Sequence, residues 1–240
     1  MNTAFETALG ATAAKGATSA PVTGSAAELD LWTERLVAWH AEHPCDDPAH
    51  DLDHVLRVWS SARAIALAEG GADLLVVLAA CLLHDMVNVP KNDPRRFQAS
   101  RLAAREAVVL LASMGFPADR LDAVAHAIEA HSFSANIEPL TLEAKIVQDA
   151  DRIDSLGAIG VARCMAVSGL LRRGLVNSQD PLAEERPLND LAYALDHFAV
   201  KLLRLPDTMR TETGCRIARQ RAAFLDEYRT RLVDEIRGLS

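Results

Sequence analysis

Hydrophobic residues recur at helical spacing along most of the chain, with polar residues between them. Apolar positions three and four residues apart mark the buried face of an amphipathic helix. No run of alternating polar and apolar residues is long enough to predict a strand. The pattern therefore predicts an all-α fold with helices over residues 29–43, 50–69, 73–85, 94–114, 117–131, 142–155, 158–173, 190–203 and 208–237.

Two segments lack this periodicity. Residues 1–27 are rich in Ala, Thr, Gly and Ser, a composition typical of a disordered tail. Residues 174–188 contain two prolines, and a connection of that length in a compact helical domain usually forms a lid or a binding loop. We therefore expect a disordered tail over 1–27 and a single helical bundle over 28–240, with 174–188 as a lid or a pocket wall.

Composition narrows the class of protein. The chain has 240 residues, half of them hydrophobic, which suffices for one sizeable core. Its formal charge of −8 argues against a broad nucleic-acid-binding face. The four cysteines lie far apart in the sequence, which favours reduced thiols in a cytoplasmic protein over a framework of disulfides. Neither a membrane-spanning apolar run nor a signal-peptide core is evident, so we expect a cytoplasmic protein without a membrane partner.

One apolar segment ends at two polar residues of types that often bind metals. Residues 76–83 are wholly apolar, and His84 and Asp85 follow directly. On the preceding predicted helix, His50 and His54 are four residues apart and share a face. Imidazole nitrogens and carboxylate oxygens are the ligands that divalent transition metals prefer.

Three further acids follow an apolar stretch much later in the chain. Asp149, Asp151 and Asp154 stand at the end of the helix predicted over 142–155. Burying carboxylates without partners is unfavourable, and a bound cation would remove that penalty. The three acids and the two histidine-containing segments could therefore converge on one metal ion.

The ordered set His54, His84-Asp85 and Asp151 resembles the H…HD…D pattern of the HD-domain metal-dependent phosphohydrolase superfamily. The flanking segments also resemble a bacterial branch of that superfamily, some of whose members are nucleoside triphosphate pyrophosphohydrolases. The resemblance covers about residues 29–228. It is carried by the stretches "AHDLDHVLRVW", "LLHDMVNVPKNDPRR", "HAIEAHSFSANIEPLTLEAKIVQDADRIDSLGAIG" and "YALDHFAVKLLRLPDTM".

The resemblance implies a single-domain HD-type bundle and a specific set of metal ligands. His54, His84, Asp85 and Asp151 would hold a divalent cation, with His84, Asp85 and Asp151 also catalytic. The cation could be Mn, Co, Ni, Fe, Zn or Mg, with Mn favoured. Taken singly, Asp85 could instead cap a turn, His54 could be a satisfied core histidine, and Asp151 could pair with Arg152.

Basic residues after the HD pair are expected to bind phosphate. Lys91 and Arg95 stand beside a predicted helix start, where free N–H groups and the helix dipole attract anions. Arginine can also bind a phosphate through two parallel hydrogen bonds. The alternative is a solvated basic patch with no ligand, which also applies to Arg96 and Arg101.

Several other polar residues are candidates for contacts with the substrate. His131 could bind a phosphate oxygen, the attacking water or a second metal, whereas His126, five residues earlier, would point elsewhere. His197 and Lys201 lie on one helix face, and the resemblance implies that this face meets the substrate. Many related phosphohydrolases have a glutamate three residues after the aspartate of the HD pair, and this chain has Asn88 there. The identity of the general acid or base is therefore open among Asp93, Glu129 and Asp154.

These expectations converge on hydrolysis of a phosphorylated small molecule. A nucleotide is the expected substrate, with a (deoxy)nucleoside triphosphate giving a monophosphate and pyrophosphate. Release of orthophosphate stays open, as does assembly into a homodimer. Two other classes of protein are also open: a mixed-valent di-iron oxygenase, for which His126 and His131 would supply extra ligands, and a non-catalytic module stabilised by its metal.

Overall fold

The computed structural model describes residues 20–44, 51–87, 96–132 and 134–239. Within these ranges the chain forms helices and no β-strand, which confirms the predicted all-α fold. The α-helices are α1 (Ala26–Glu42), α2 (Leu52–Glu69), α3 (Leu74–Leu83), α4 (Ala99–Ser113), α5 (Leu121–His131), α6 (Leu142–Asp154), α7 (Gly157–Leu170), α8 (Ala194–Val200) and α9 (Glu212–Ile236).

Side-chain caps determine where several helices begin. Ser25, Asp51, Asp73, Thr141 and Thr211 each accept a hydrogen bond from a backbone N–H in the first turn of the helix that follows. Such caps satisfy N–H groups that have no partner within the helix. At the other end of α2, Gly70 adopts φ 72°, a conformation that favours glycine. These local signals explain why most helix boundaries fall within a few residues of those predicted.

The N-terminal boundary lies earlier than expected. Residues 1–19, most of the predicted tail, lie outside the described residues. Thr23 forms an isolated parallel bridge with Asp73, and its backbone exchanges hydrogen bonds of 3.0 Å with Ala72 and Leu74. Helix α1 then starts at Ala26, so ordered structure begins before residue 28.

Helix α3 forms the centre of the bundle. All ten of its residues are buried, and it packs against α1, α2, α5 and α6. A helix that is apolar on every side must be surrounded by other elements, which agrees with its sequence. The last residue of α3 directly precedes His84 and Asp85, so the HD pair emerges from the middle of the core.

The C-terminal part departs most from the predicted boundaries. The helix expected over 190–203 is split into α8 and a 3-10 helix, Leu202–Thr208, which contains Pro206. Asn189 explains the late start of α8, because its side-chain oxygen accepts from Leu191 N and Ala192 N and holds a turn there. Among the described residues, no single helix is both long and apolar enough to cross a bilayer.

Cysteine placement agrees with the sequence where it can be compared. Cys81 and Cys164 are buried and Cys215 is partly buried, and among the described residues none of the three is in a disulfide. Cys45 lies outside the described residues. Burial raises the pKa of the Cys81 thiol well above its usual value, which keeps it protonated and unreactive.

Candidate metal centre

Four side chains from three helices converge beside the end of α3. His54 lies in the first turn of α2, His84 and Asp85 follow α3, and Asp151 lies on α6. His54 Nε2 is 3.6 Å from Asp85 Oδ2 and 3.6 Å from Asp151 Oδ1. His84 Nε2 is 3.3 Å and 3.7 Å from the same two atoms. The structure therefore brings together all four side chains of the expected ligand set.

These spacings suit one divalent cation. Donor atoms about 2.1 Å from one ion are about 3.0 Å apart at a right angle and about 3.4 Å apart in a tetrahedron. One ligand atom each from His54, His84 and Asp85 lies within 4.8 Å of the others. His84 Nε2 is buried and has no hydrogen-bond partner among the described protein atoms. The donor set and this nitrogen therefore fit a metal.

The outer nitrogen of each imidazole is held by the protein. His54 Nδ1 lies 2.8 Å from Asp154 Oδ2, His84 Nδ1 lies 2.8 Å from Cys81 O, and His131 Nδ1 lies 2.6 Å from Ile128 O. A carbonyl or carboxylate oxygen can only accept, so each Nδ1 carries the proton and donates. This tautomer leaves the Nε2 lone pair available for a metal, as in most metal-binding histidines.

Asp154 supports His54 from behind. This carboxylate is 1% exposed, and it also accepts hydrogen bonds of 2.9 Å from both Arg57 Nε and Arg163 Nη1. Burial alone would raise the pKa of Asp154, but His54 and the arginines lower it to about 2. Asp154 thus stays ionised and orients the imidazole, so it is not positioned as the general acid that its sequence context allowed.

Electrostatics at the centre favour a positive charge between the two carboxylates. Burial would raise the pKa of Asp85 and of Asp151, but the neighbouring histidines lower both. Burial would lower the pKa of His84, yet Asp85 and Asp151 outweigh it and raise that pKa well above the usual value. A divalent cation would satisfy the same demand.

The centre is closed on the protein side and open on the carboxylate side. The side chains of His54 and His84 are 0% exposed, whereas those of Asp85 and Asp151 are 25% and 27% exposed. Catalytic metal sites keep such an accessible position, whereas structural sites are enclosed. The arrangement could therefore admit a substrate.

His131 adjoins the centre, and His126 does not. His131 Nε2 lies 3.6 Å from Asp85 Oδ1, and its ring centroid is 4.7 Å from that of His84. His126 Nε2 instead accepts a hydrogen bond from Leu140 N at 2.9 Å. Only one of the two histidines that a di-iron oxygenase would use is therefore aimed at the centre.

The remaining expected site residues fall into two groups, those outside the described residues and those on or beside α8. Lys91 and Arg95, together with His50, Asn88 and Asp93, lie outside the described residues. His197 is on α8, where its Nδ1 lies 2.9 Å from Asp190 Oδ2. Lys201 ends α8, and its charge acts on His197. Among the described contacts of His197, none reaches the four-residue cluster.

The sequence did not single out Arg57 or Arg163, which hold Asp154. Their partner lies about a hundred positions from Arg57 along the chain, and arginine within a helix is usually solvated. The sequence offered one signal that Asp154 belongs to the site. Asp151 and Asp154 are three residues apart, which puts both acids on one helix face.

Comparison with known proteins gives a consistent family. The model of the HD domain matches residues 51–156, which include all four clustered side chains. The uncharacterized protein YpgQ of Bacillus subtilis (strain 168) is 35% identical over 211 residues, which are 86% of this chain and 94% of YpgQ.

Solved structures agree over nearly the whole chain. The structure of B. subtilis YpgQ in complex with ADP has a TM-score of 0.67 at 31% identity, covering 86% of this chain and 95% of that one. The Lin1889 protein of Listeria innocua has a TM-score of 0.66 at 27% identity, covering 88% and 99%. An HD-superfamily hydrolase from Bacillus thuringiensis has a TM-score of 0.65 at 25% identity, covering 86% and 97%. With the ligand pattern, the bundle and these relatives in agreement, the chain belongs to the HD domain family.

Proposed function

We propose that the protein is a divalent-metal-dependent phosphohydrolase that acts on a nucleotide. The observation that carries this proposal is the convergence of His54, His84, Asp85 and Asp151, with each imidazole fixed in the tautomer that a metal requires. YpgQ, which is similar over most of the chain, was crystallised with ADP, and this supports a nucleotide as the ligand.

The proposed reaction converts a (deoxy)nucleoside triphosphate and water into the monophosphate and pyrophosphate. Water would attack the α-phosphorus, and the bond from that phosphorus to the oxygen bridging to the β-phosphorus would break. Attack at the terminal phosphorus would release orthophosphate instead, so identification of the product distinguishes the two reactions.

His54, His84, Asp85 and Asp151 would hold the cation. When bound, a divalent cation supplies a Lewis acid that activates water and offsets phosphoryl charge. Two imidazoles and two carboxylates suit Mn, Fe, Co, Ni and Zn, and Mn remains the ion we favour. Asp154 keeps the His54 lone pair directed inward, since its carboxylate holds the Nδ1 proton.

His131 is positioned to contact the substrate. It is 7% exposed, and its Nδ1 proton is held by Ile128 O, so Nε2 points toward Asp85. We assign it to a phosphate oxygen or to the attacking water. Lys91 and Arg95 are proposed to hold the phosphates that do not react, and His197 and Lys201 are kept as candidates for substrate contact.

The decisive experiment removes and restores the metal. Protein stripped with a chelator is supplied with Mn, Co, Ni, Fe, Zn or Mg and tested against a panel of nucleotides, with phosphate and pyrophosphate assayed separately. We expect pyrophosphate release that depends on the metal and is absent in Asp85→Ala. If no ion yields either product from any nucleotide, the proposal is wrong.

The same experiment tests the non-catalytic alternative. A module that keeps a metal for stability would show a rise in unfolding temperature on adding Mn but no turnover. An enzyme shows both, because binding to the folded state alone raises stability by mass action. Size-exclusion chromatography of the same samples tests whether the chain forms a homodimer.

A further inference from the structure

His40 occupies a position on α1 where the helical pattern calls for an apolar residue. Trp32 and Leu36 are buried on this helix, and His40 follows Leu36 by four residues, so the three side chains lie on one face. Helix α1 packs against α3 in the bundle. A polar ring on such a face needs a hydrogen-bond partner. His40 also lies outside residues 51–156, the part of the chain that the HD domain model matches.

The partner of His40 is a backbone carbonyl in the last turn of α3. His40 Nε2 lies 2.6 Å from Leu82 O, and the two residues are 42 positions apart in the sequence. A carbonyl oxygen can only accept, so Nε2 carries a proton and donates it. Burial lowers the pKa of His40, and the hydrogen bond to Leu82 O opposes this shift. The ring is therefore neutral at neutral pH, with its single N–H directed at α3.

This hydrogen bond lies at the point where α3 stops. In a continuing α-helix, Leu82 O would accept from the N–H of Met86, four residues further on. Met86 N instead donates to Leu83 O at 3.2 Å, in the turn that contains His84 and Asp85. The last carbonyls of a helix need donors from elsewhere. His40 supplies such a donor to Leu82 O from a neighbouring helix.

The place where α3 stops determines where the HD pair points. Asp85 Oδ2 lies 3.3 Å from His84 Nε2 and 3.6 Å from His54 Nε2. If Met86 N bonded to Leu82 O instead, α3 would continue through the turn and the backbone around Asp85 would shift. A metal site tolerates displacements of only about 0.5 Å in its ligands. A contact that fixes this turn therefore acts on the metal centre.

We propose that His40 is a positioning residue of the metal centre, which ends α3 at the HD pair by donating to Leu82 O and so keeps Asp85 directed at the cation. This rests on the proposed function, because it takes the four-residue cluster as the site of a divalent cation, and it adds a residue of α1 to that site. A histidine that only stabilised the packing of α1 on α3 would affect stability and leave metal affinity unchanged.

The test measures Mn binding to the full chain by calorimetry, and kcat and KM for the nucleotide at saturating Mn. His40→Leu removes the donor and should weaken Mn binding about fivefold. It should lower kcat and leave KM unchanged, because no substrate contact is lost. His40→Gln has an amide N–H with about the reach of Nε2, and its Mn affinity should stay within about twofold of wild type.

The matched control is His43→Leu. His43 is exposed on the turn that ends α1, and its Nδ1 lies 2.8 Å from Trp39 O of the same helix, so this variant should bind Mn as the wild type does. Equal Mn affinities of His40→Leu and His43→Leu would overturn the proposal. An equal loss in His40→Leu and His40→Gln would also overturn it, since the donor would then not be the cause.

A second variant decides if His40→Leu does not fold. In His40→Asn the amide nitrogen stands near the position of Nδ1, short of Leu82 O, so Mn binding should weaken as in His40→Leu, and wild-type affinity in this variant would overturn the proposal. Failure here is distinct from failure of the proposed function. Hydrolysis with unaltered Mn affinity in the His40 variants rejects the role of His40 only. Weakened Mn binding in those variants, without turnover by the wild type, rejects the hydrolase only.

Discussion

Aspartates in two regions of this protein have opposite surroundings. Asp196, 2% exposed at the start of α8, accepts hydrogen bonds of 2.6 and 2.8 Å from Arg186 and a third of 2.6 Å from Asn189 N. Asp85 and Asp151 instead face imidazole nitrogens at 3.3–3.7 Å and are about one-quarter exposed. The first carboxylate is satisfied by the protein, and the other two converge on a common point.

The difference separates a structural polar group from a ligand site. Asp196 secures the connection between α7 and α8, where Asp180 also accepts from Glu184 N and Glu185 N. Buried polar groups are normally paired in this way. A cluster whose members instead share one small space, with a buried nitrogen of His84 that makes no hydrogen bond within the described part of the chain, indicates that another species completes it.

The largest expected effect comes from removing one acid of the cluster. Asp151→Ala should lower the rate of nucleotide hydrolysis by about a thousandfold or more, because it would remove one of the four proposed ligands to the cation. Circular dichroism should show unchanged helix content. The stability gained by adding Mn should disappear together with activity. Activity above a tenth of the wild-type value would remove Asp151 from the ligand set.

The opposite result is expected for Asp196→Ala. Arg186 would lose both of its hydrogen bonds to the carboxylate, and the loss of this part-buried pair should lower the free energy of unfolding. Urea denaturation measures this loss. Metal affinity and turnover per folded molecule should stay at wild-type levels, and a selective loss of turnover would contradict the distinction drawn between the two groups.

Asp154 lies between the two cases, since it is fully paired and yet touches His54, a proposed metal ligand. Asp154→Ala should weaken metal binding by about 10- to 100-fold, because His54 loses the acceptor that orients it. Asp154→Asn keeps an oxygen for the His54 Nδ1 proton and should lose less. Calorimetric titration with Mn compares them, and equal losses in both variants would show that charge, not orientation, is the contribution of Asp154.

Acid should remove the stabilisation that the Asp154 carboxylate provides. The folded-state pKa is about 2, below the ordinary value of 3.8, so ionised Asp154 stabilises the fold above pH 4. That contribution, about 2 kcal/mol, is lost as the pH falls through 2. In chelator, the gap in unfolding free energy between wild type and Asp154→Asn should narrow by this amount from pH 5 to pH 2. A constant gap would show that the pKa is not lowered.

Fold class followed from the sequence because helical periodicity and capping residues are local. Asp73 and Gly70, for example, determine helix ends through contacts within a few residues. The helix expected over 190–203 was wrong in extent, because the turn at Asn189 and the 3-10 geometry around Pro206 compete with the apolar pattern there. Loop turns and 3-10 segments carry weaker periodic signals than long amphipathic helices.

The candidate site was only partly accessible from the sequence. The four clustered side chains could be listed because their order resembles a family pattern. The arginines that hold Asp154 could not, because Arg57 and Arg163 lie on α2 and α7 and nothing in their spacing links them to that acid. Whether an arginine is solvated or pairs with a buried acid depends on tertiary packing, which single-residue chemistry does not encode.

Complete burial of α3 makes the angular position of the HD pair intolerant of any change in chain length. Each residue of an α-helix advances the chain by about 100°. A one-residue deletion anywhere in Leu74–Leu83 would therefore turn His84 and Asp85 away from α2 and α6. Because α3 has no polar face, it cannot rotate to compensate for the change in length. We therefore expect functional relatives to have no insertion or deletion in this ten-residue segment, although they can exchange one apolar residue for another.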